Sequence, residues 1–241
     1  MTYCVGLCLE DGLVMLSDTR TNAGVDHIAS FPKMHVVENP GERILVVLSA
    51  GNLAISQAVL TFAQSGVEVD GTLQTLESAP NMFAAARLLG AAVRKVHAID
   101  GKALDEQHVP FDVSLLLGGQ IAGESHRLFQ IYSAGNFIEA TCDTPFFQIG
   151  EHKYGKPILD RVVHHDTDLR AGIKLVLLSM DSTLRSNLTV GLPIDLLVYR
   201  RDALRVELRR RITEDDAYFR DMRERWSQAL RDAYRALPDF E

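Results

Sequence analysis

The chain has 241 residues, 46% of them apolar, with a formal net charge of −7 and a pI of about 5.6. That length suits one domain, or one domain with an appendage, and the apolar share allows a sizeable core. The acidic balance argues against a general nucleic-acid binder, and no apolar run approaches the ~18 residues of a membrane span.

The N-terminus lacks the basic-then-apolar layout of a signal peptide. Thr2 to Leu9 reads as a first strand, closed by the hairpin signal Glu10-Asp11-Gly12. Leu13 to Leu16 returns as a second strand and delivers Ser17-Asp18 at its end. A polar connection from Thr19 to Ser30 follows, then strands at Lys33 to Val37 and Arg43 to Leu48, the latter leading into Ser49-Ala50-Gly51-Asn52. Ile55, Val59 and Phe62 share one helical face. Met82, Ala86, Leu89, Val93 and Val96 share a longer one, entered through Pro80-Asn81.

Asp100 to Pro110 is polar and reads as a loop. Strands resume at Asp112 to Leu117, Arg127 to Tyr132 and Pro145 to Ile149. A short helix is expected over Lys153 to Val163, and another from Asp168 with Leu169, Ile173, Val176 and Met180 inward. Ile194 to Tyr199 and Ala203 to Leu208 read as a last strand pair. Strands group with strands and helices with helices, which favours antiparallel sheets over alternating βαβ units. The expected class is α+β, a four-layer αββα sandwich of two antiparallel sheets covered by helices.

A charged amphipathic helix closes the chain. Thr213 and Asp216 read as its capping box, and Tyr218, Met222, Trp226, Leu230 and Tyr234 form one stripe. Residues 1–209 are taken as the main domain and 210–241 as the extension. The stripe fits docking on the chain's own body or on a neighbouring subunit. Mixed charge on the other faces disfavours a membrane surface.

Cys4, Cys8 and Cys142 do not suggest a disulfide framework. Cys4 and Cys8 share a strand face with Thr2 and read as small apolar residues in a reducing cytosol. His164-His165-Asp166 offers no third ligand for a metal, and Gly118, Gly119 and Gly123 are turn glycines outside any strand–GxGxxG–helix arrangement. No cofactor or metal is expected.

The chemistry converges on Thr2. A leading threonine, once Met1 is clipped, carries a hydroxyl and a free α-amine, a nucleophile with its own base. The amine's ordinary pKa of ~7.7–8.0 leaves part of it unprotonated at neutral pH. Counting back through the hairpin places Asp18 near Thr2. Lys33 opens the third strand at the same sheet edge, and Gly51 ends the fourth. Lys33 would depress the amine's proton affinity by like-charge repulsion, and Asp18 would balance Lys33. The Gly51 N–H could donate to a tetrahedral oxyanion.

Thr2, Ser17-Asp18-Thr19-Arg20, Lys33 and Ser49-Ala50-Gly51 resemble the catalytic frame of proteasome-type β subunits, which are N-terminal-nucleophile hydrolases. The likeness extends over most of the chain. Thr2-Tyr3-Cys4-Val5-Gly6 and Met180 to Asn187 are similar to the bacterial Anbu (ancestral β-subunit) group. The resemblance implies threonine-dependent peptide hydrolysis through an acyl-enzyme, no metal or organic cofactor, and a homo-oligomer in a ring or ring-like assembly. It also implies a supporting serine in a Gly-Ser-Gly turn, where this chain has Gly150-Glu151-His152, so Glu151 stands in its place. A further supporting Asp and Ser are expected after the late helix, with Asp181, Ser182 and Ser186 as candidates and Ser186 the best match. Met1 alone precedes Thr2, so no propeptide is expected.

The expected activity is a cytoplasmic threonine endopeptidase acting on peptides or proteins. Two alternatives stay open: a non-protein amide or γ-linked peptide as substrate, and a catalytically silent scaffold. Whether an unfoldase ATPase feeds the site is not legible in these residues.

Overall fold

The structure, a computed structural model, describes residues 2–23 and 27–240. The first sheet contains β1 (Tyr3–Leu9) and β2 (Gly12–Asp18), joined through the Glu10–Gly12 turn. A small hairpin, β3 (Arg20–Ala23) and β4 (His27–Ser30), occupies part of what the sequence suggests is a plain connection. Then come β5 (Met34–Asn39), β6 (Arg43–Gly51) and α1 (Leu53–Ser65). A second small hairpin, β7 (Val67–Val69) and β8 (Thr72–Gln74), precedes α2 (Met82–Glu106). The helix α2 runs through most of the segment expected to be a loop, because Gly101 and Leu104 still pack inward against its neighbours.

The second half begins with β9 (Val113–Ile121), β10 (Arg127–Ile131), β11 (Phe137–Glu139) and β12 (Phe146–Gly150). It continues with α3 (Lys156–Val162), α4 (Leu169–Ser186), β13 (Ile194–Arg200), β14 (Leu208–Ile212) and α5 (Ala217–Arg235). The last strand pairs Leu208–Ile212 with β13 rather than Ala203–Leu208. The intervening residues are spent on turning the chain, with Asp202 and Leu204 both at positive φ. Among the described residues no helix is long and apolar enough to cross a membrane.

Two five-stranded antiparallel sheets result, ordered β12-β1-β2-β13-β14 and β11-β10-β9-β6-β5. Side-chain alternation divides β1 between two cores. Tyr3, Val5, Leu7 and Leu9 face α3 and α4, while Cys4 faces the other sheet with Met15, Leu48, Leu116 and Ile149. A third core lies between the second sheet and α1 and α2. Helices, sheet, sheet, helices: the four-layer αββα arrangement follows from these three apolar layers.

Local signals set the helix starts. Asn52, Asn81 and Asp168 each accept a backbone N–H with the side chain at the head of α1, α2 and α4. For α5 the capping residue is Asp216, whose carboxylate accepts from Phe219 N–H at 2.9 Å, and not Thr213. Phe219 and Met222 anchor α5 beside α4, at about 2 kcal/mol for each fully buried side chain. Beyond them the helix leaves its own body: Leu230, Tyr234, Leu237 and Phe240 are exposed.

Candidate active site

The hairpin register decides the geometry. Cys4 lies opposite Ser17 across β1–β2, so Asp18 arrives beside Tyr3 and Thr2. Tyr3 N–H donates to Asp18 Oδ1 at 3.1 Å, and Lys33 Nζ donates to the same oxygen at 2.7 Å. Gly191 N–H reaches Oδ2 at 3.4 Å. Asp18 and Lys33 are both buried, at 0% and 4% exposure. Burial pushes the Asp18 carboxyl above its ordinary value. The Lys33 ammonium and the two N–H donors oppose that rise.

Lys33 stands just before β5, at the end of the second sheet that faces Asp18. Its carbonyl accepts Ser49 N–H at 3.0 Å, which ties the lysine to β6. Its Nζ also donates to Arg20 C=O at 2.6 Å. An ammonium has three hydrogens; two have these partners.

Thr2 is buried, with 6% exposure. Its carbonyl accepts Glu151 N–H at 2.6 Å, immediately after the Tyr3–Gly150 pair that ends β1–β12. Gly150 has φ +80°, and a Cβ there would lie 2.0 Å from Thr2 O. Only glycine permits this approach of the two strands. Met1, on whose removal a free Thr2 amine depends, lies outside the described residues.

Gly51 is exposed at the end of β6, with φ +102° and its Cα side pressed on Asp112 C=O. It extends two residues past Ser49, the last β6 residue bonded to the Lys33 segment. Thr2, Asp18, Lys33 and Glu151 are therefore brought together by direct contacts, with Gly51 at the neighbouring strand end.

The late-helix candidates lie elsewhere in their contacts. The Asp181 carboxylate is buried but is taken up by Arg223 of α5 and by Arg185, the latter at 3.3 Å. Arg185 also donates to Ser227 of α5 at 2.8 Å. Ser182 is half-buried on α4, and Ser186 is exposed as its last residue. The next residue, Asn187, is the one that turns in: its Nδ2 donates to Glu151 Oε2 at 3.2 Å. Asn187-Leu188-Thr189 after a helical run has the spacing of an Asx turn, a legible signal that carries no hint of Glu151.

A buried polar group supports the start of β1 from the helix side. Tyr3 Oη bonds Ser179 Oγ and accepts from Gln148 Nε2, each at 2.5 Å. Ser179 in turn donates to Gly155 C=O at 2.9 Å. The cysteines are bystanders: burial raises the Cys4 thiol and pushes Cys8 up to about 12, so neither is a thiolate at neutral pH. Among the described residues no group of three or more His, Cys, Asp or Glu could hold a metal ion.

The fold is shared with known proteins. The profile of the proteasome subunit family matches residues 2–198. A solved Anbu (Gly-1) mutant from Hyphomicrobium sp. strain MC1 is 54% identical over all of both chains, with a TM-score of 0.91. Anbu (ancestral beta-subunit) from Yersinia bercovieri is 50% identical over 99% of each chain, with a TM-score of 0.90. The helical assembly of the Anbu complex from Pseudomonas aeruginosa is 49% identical over 99% of this chain and 98% of that one, with a TM-score of 0.91. A search of curated proteins returned no match. With the family profile spanning most of the chain and the αββα layers around Thr2, this protein belongs to the proteasome subunit family, is similar to Anbu proteins, and has the N-terminal-nucleophile hydrolase fold.

Proposed function

We propose that the chain is a threonine-type endopeptidase whose nucleophile is Thr2 after loss of Met1. The observation that carries this reading is the buried contact set around Thr2. Its carbonyl is held by Glu151 N–H, and the adjoining Tyr3 N–H shares an Asp18 oxygen with Lys33. Thr2 Oγ1 attacks the substrate carbonyl as the α-amine accepts its proton. The third Lys33 hydrogen serves the hydroxyl oxygen, stabilising its developing charge. The tetrahedral oxyanion takes the Gly51 N–H. The ammonium then returns the proton to the leaving amine, and an ester to Thr2 remains. Water, deprotonated by the same amine, hydrolyses that ester and restores the site.

Peptides or proteins are the proposed substrates. The segment Ala50–Gly51 supports this, since it runs past the last residues of β6 that β5 and Lys33 engage, where an extended chain could lie. The protein is proposed to act in the cytoplasm as a homo-oligomer. The helical assembly described for the Pseudomonas aeruginosa relative supports self-association, as do the exposed Tyr218, Leu230, Tyr234, Leu237 and Phe240 on and after α5.

The test is intact mass before and after incubation with a peptide epoxyketone, whose warhead consumes both the hydroxyl and the α-amine. Loss of Met1 and a stoichiometric adduct, absent in Thr2→Ala, are expected. A processed chain that forms no adduct and cleaves no peptide would overturn the endopeptidase reading.

A further inference from the structure

Tyr3 follows Thr2 directly, and both of its ends are pinned. Its N–H donates to Asp18 Oδ1 at 3.1 Å, the oxygen that also takes Lys33 Nζ at 2.7 Å. Its ring is fully buried in the core between the first sheet and α3 and α4. At the far end of the ring the hydroxyl belongs to a hydrogen-bond chain whose direction is fixed. Gln148 Nε2 can only donate, so Tyr3 Oη accepts from it at 2.5 Å. Gly155 C=O can only accept, so Ser179 Oγ donates to it at 2.9 Å. The phenol hydrogen is thereby directed to the Ser179 oxygen at 2.5 Å. Gln148 lies on β12, Ser179 on α4 and Gly155 at the head of α3.

Space is reserved for this chain as well. A Cβ on Gly155 would lie 2.3 Å from Ser179 Oγ and 2.9 Å from Tyr3 Oη, so glycine keeps the approach open. Burial raises the pKa of the phenol, which therefore stays a donor at neutral pH. Apolar packing around the ring is non-directional and tolerates sliding along its axis. Hydrogen bonds to two separate elements do not, and they set how deep the ring sits and where the Tyr3 backbone lies.

Resting on Thr2 as the proposed nucleophile, we infer that Tyr3 is a positioning residue for the reaction. Its hydroxyl, anchored through Ser179 and Gln148, holds the Tyr3 N–H on Asp18 and so fixes the Asp18–Lys33 pair beside Thr2. Hydrogen bonds to an ionised carboxylate favour its charged form. Asp18 has Lys33, Tyr3 N–H and Gly191 N–H as such donors, the last at 3.4 Å. Arg20, whose guanidinium lies against Gly191, and Cys4, whose buried thiol stays neutral, also face this pair. Removing the phenol hydroxyl touches none of these groups. It lets Tyr3 drift, lengthens its N–H bond, and leaves Asp18 readier to take a proton and Lys33 less firmly placed.

The experiment uses the full-length chain, with Met1 removal verified by intact mass. Tyr3→Phe keeps the ring and removes only the hydroxyl. The Asp18 side-chain 13C carboxyl resonance, assigned with Asp18→Asn, is titrated by NMR, which needs no turnover. It is expected to titrate about half a unit higher, roughly a threefold change in proton affinity. The maximal rate of peptide epoxyketone labelling should fall on the order of tenfold. The concentration giving half that rate should not change, because the hydroxyl faces the helices and not a bound peptide. Ser179→Ala cuts the chain at its next link and should move both readouts the same way. The double variant should go no further than Tyr3→Phe alone. Ser179→Ala also carries the test if Tyr3→Phe does not fold. A folded Tyr3→Phe protein whose Asp18 titration stays put, or which labels as fast as an active wild type, overturns the inference. Additive shifts in the double variant do the same. If the wild type forms no adduct yet the Asp18 titration moves in Tyr3→Phe, the peptidase reading fails and the positioning of Asp18 by Tyr3 stands.

Discussion

Gly150→Ala tests how tightly Thr2, the proposed nucleophile, is held. A Cβ at residue 150 would lie 2.0 Å from Thr2 O and 2.7 Å from Thr2 C, where real contacts stay above 3.0 Å. Both are backbone atoms, so no side chain can swing aside. The two strand ends must part by about 1 Å in a close-packed setting. That stretches the Glu151–Thr2 bond from 2.6 Å past hydrogen-bonding range and removes about 0.5–1.5 kcal/mol. An L side chain at φ +80° adds roughly 1–2 kcal/mol. The expected loss is about 1.5–3.5 kcal/mol in urea unfolding. A 1 Å misplacement of a reacting group costs on the order of 10²-fold in rate. Gly41→Ala is the control, because Gly41 has φ +83° with nothing within 4 Å of its Cβ. It should show the backbone strain alone and full epoxyketone reactivity. A folded Gly150→Ala protein that labels at the wild-type rate would refute the claim that this contact positions Thr2.

Other expectations follow from the same contacts. Because burial raises the Asp18 carboxyl, a second fall in kcat/KM, on the acid side of the one set by the α-amine, should lie above the ordinary carboxylate range. On stability the sign is opposite: a raised folded-state pKa favours folding below the unfolded value and loses that contribution as pH rises through the folded one. Paired rate and thermal-melt profiles should therefore diverge in this window; parallel falls with acid would argue against it. Tyr3→Phe removes the hydroxyl bonded to Ser179 and Gln148, and should cost about 1–2 kcal/mol in denaturant unfolding. Arg223→Ala leaves the buried Asp181 with Arg185 alone. The loss should be about 2 kcal/mol, short of the roughly 3–5 for a fully buried pair. Hydrogen exchange should show it as early opening of α5.

Much of the site was legible because its residues are close in sequence and joined by tight turns. Thr2 and Asp18 are linked by one hairpin, whose register follows from Glu10-Asp11-Gly12 and the period-two alternation. Lys33 and Gly51 open and end neighbouring strands, so their edge is readable by counting. The four layers follow from grouping strands with strands. Local patterning also misled: Asp100 to Pro110 is polar enough to read as a loop, yet α2 continues through it to Glu106 because a few inward residues still find a core. Asn187 meeting Glu151, Gly191 N–H meeting Asp18, and Asp181 turning to Arg223 instead of Thr2 join segments tens to more than a hundred residues apart. No period or turn encodes such partners. They depend on where two sheets and the helices over them stack, and on which buried carboxylate each donor reaches. The sequence by itself determined the proposed nucleophile's place beside its lysine and aspartate, and the layered fold. Only tertiary packing decided which side chains hold them, since a buried charge takes whatever partner the packing brings within reach.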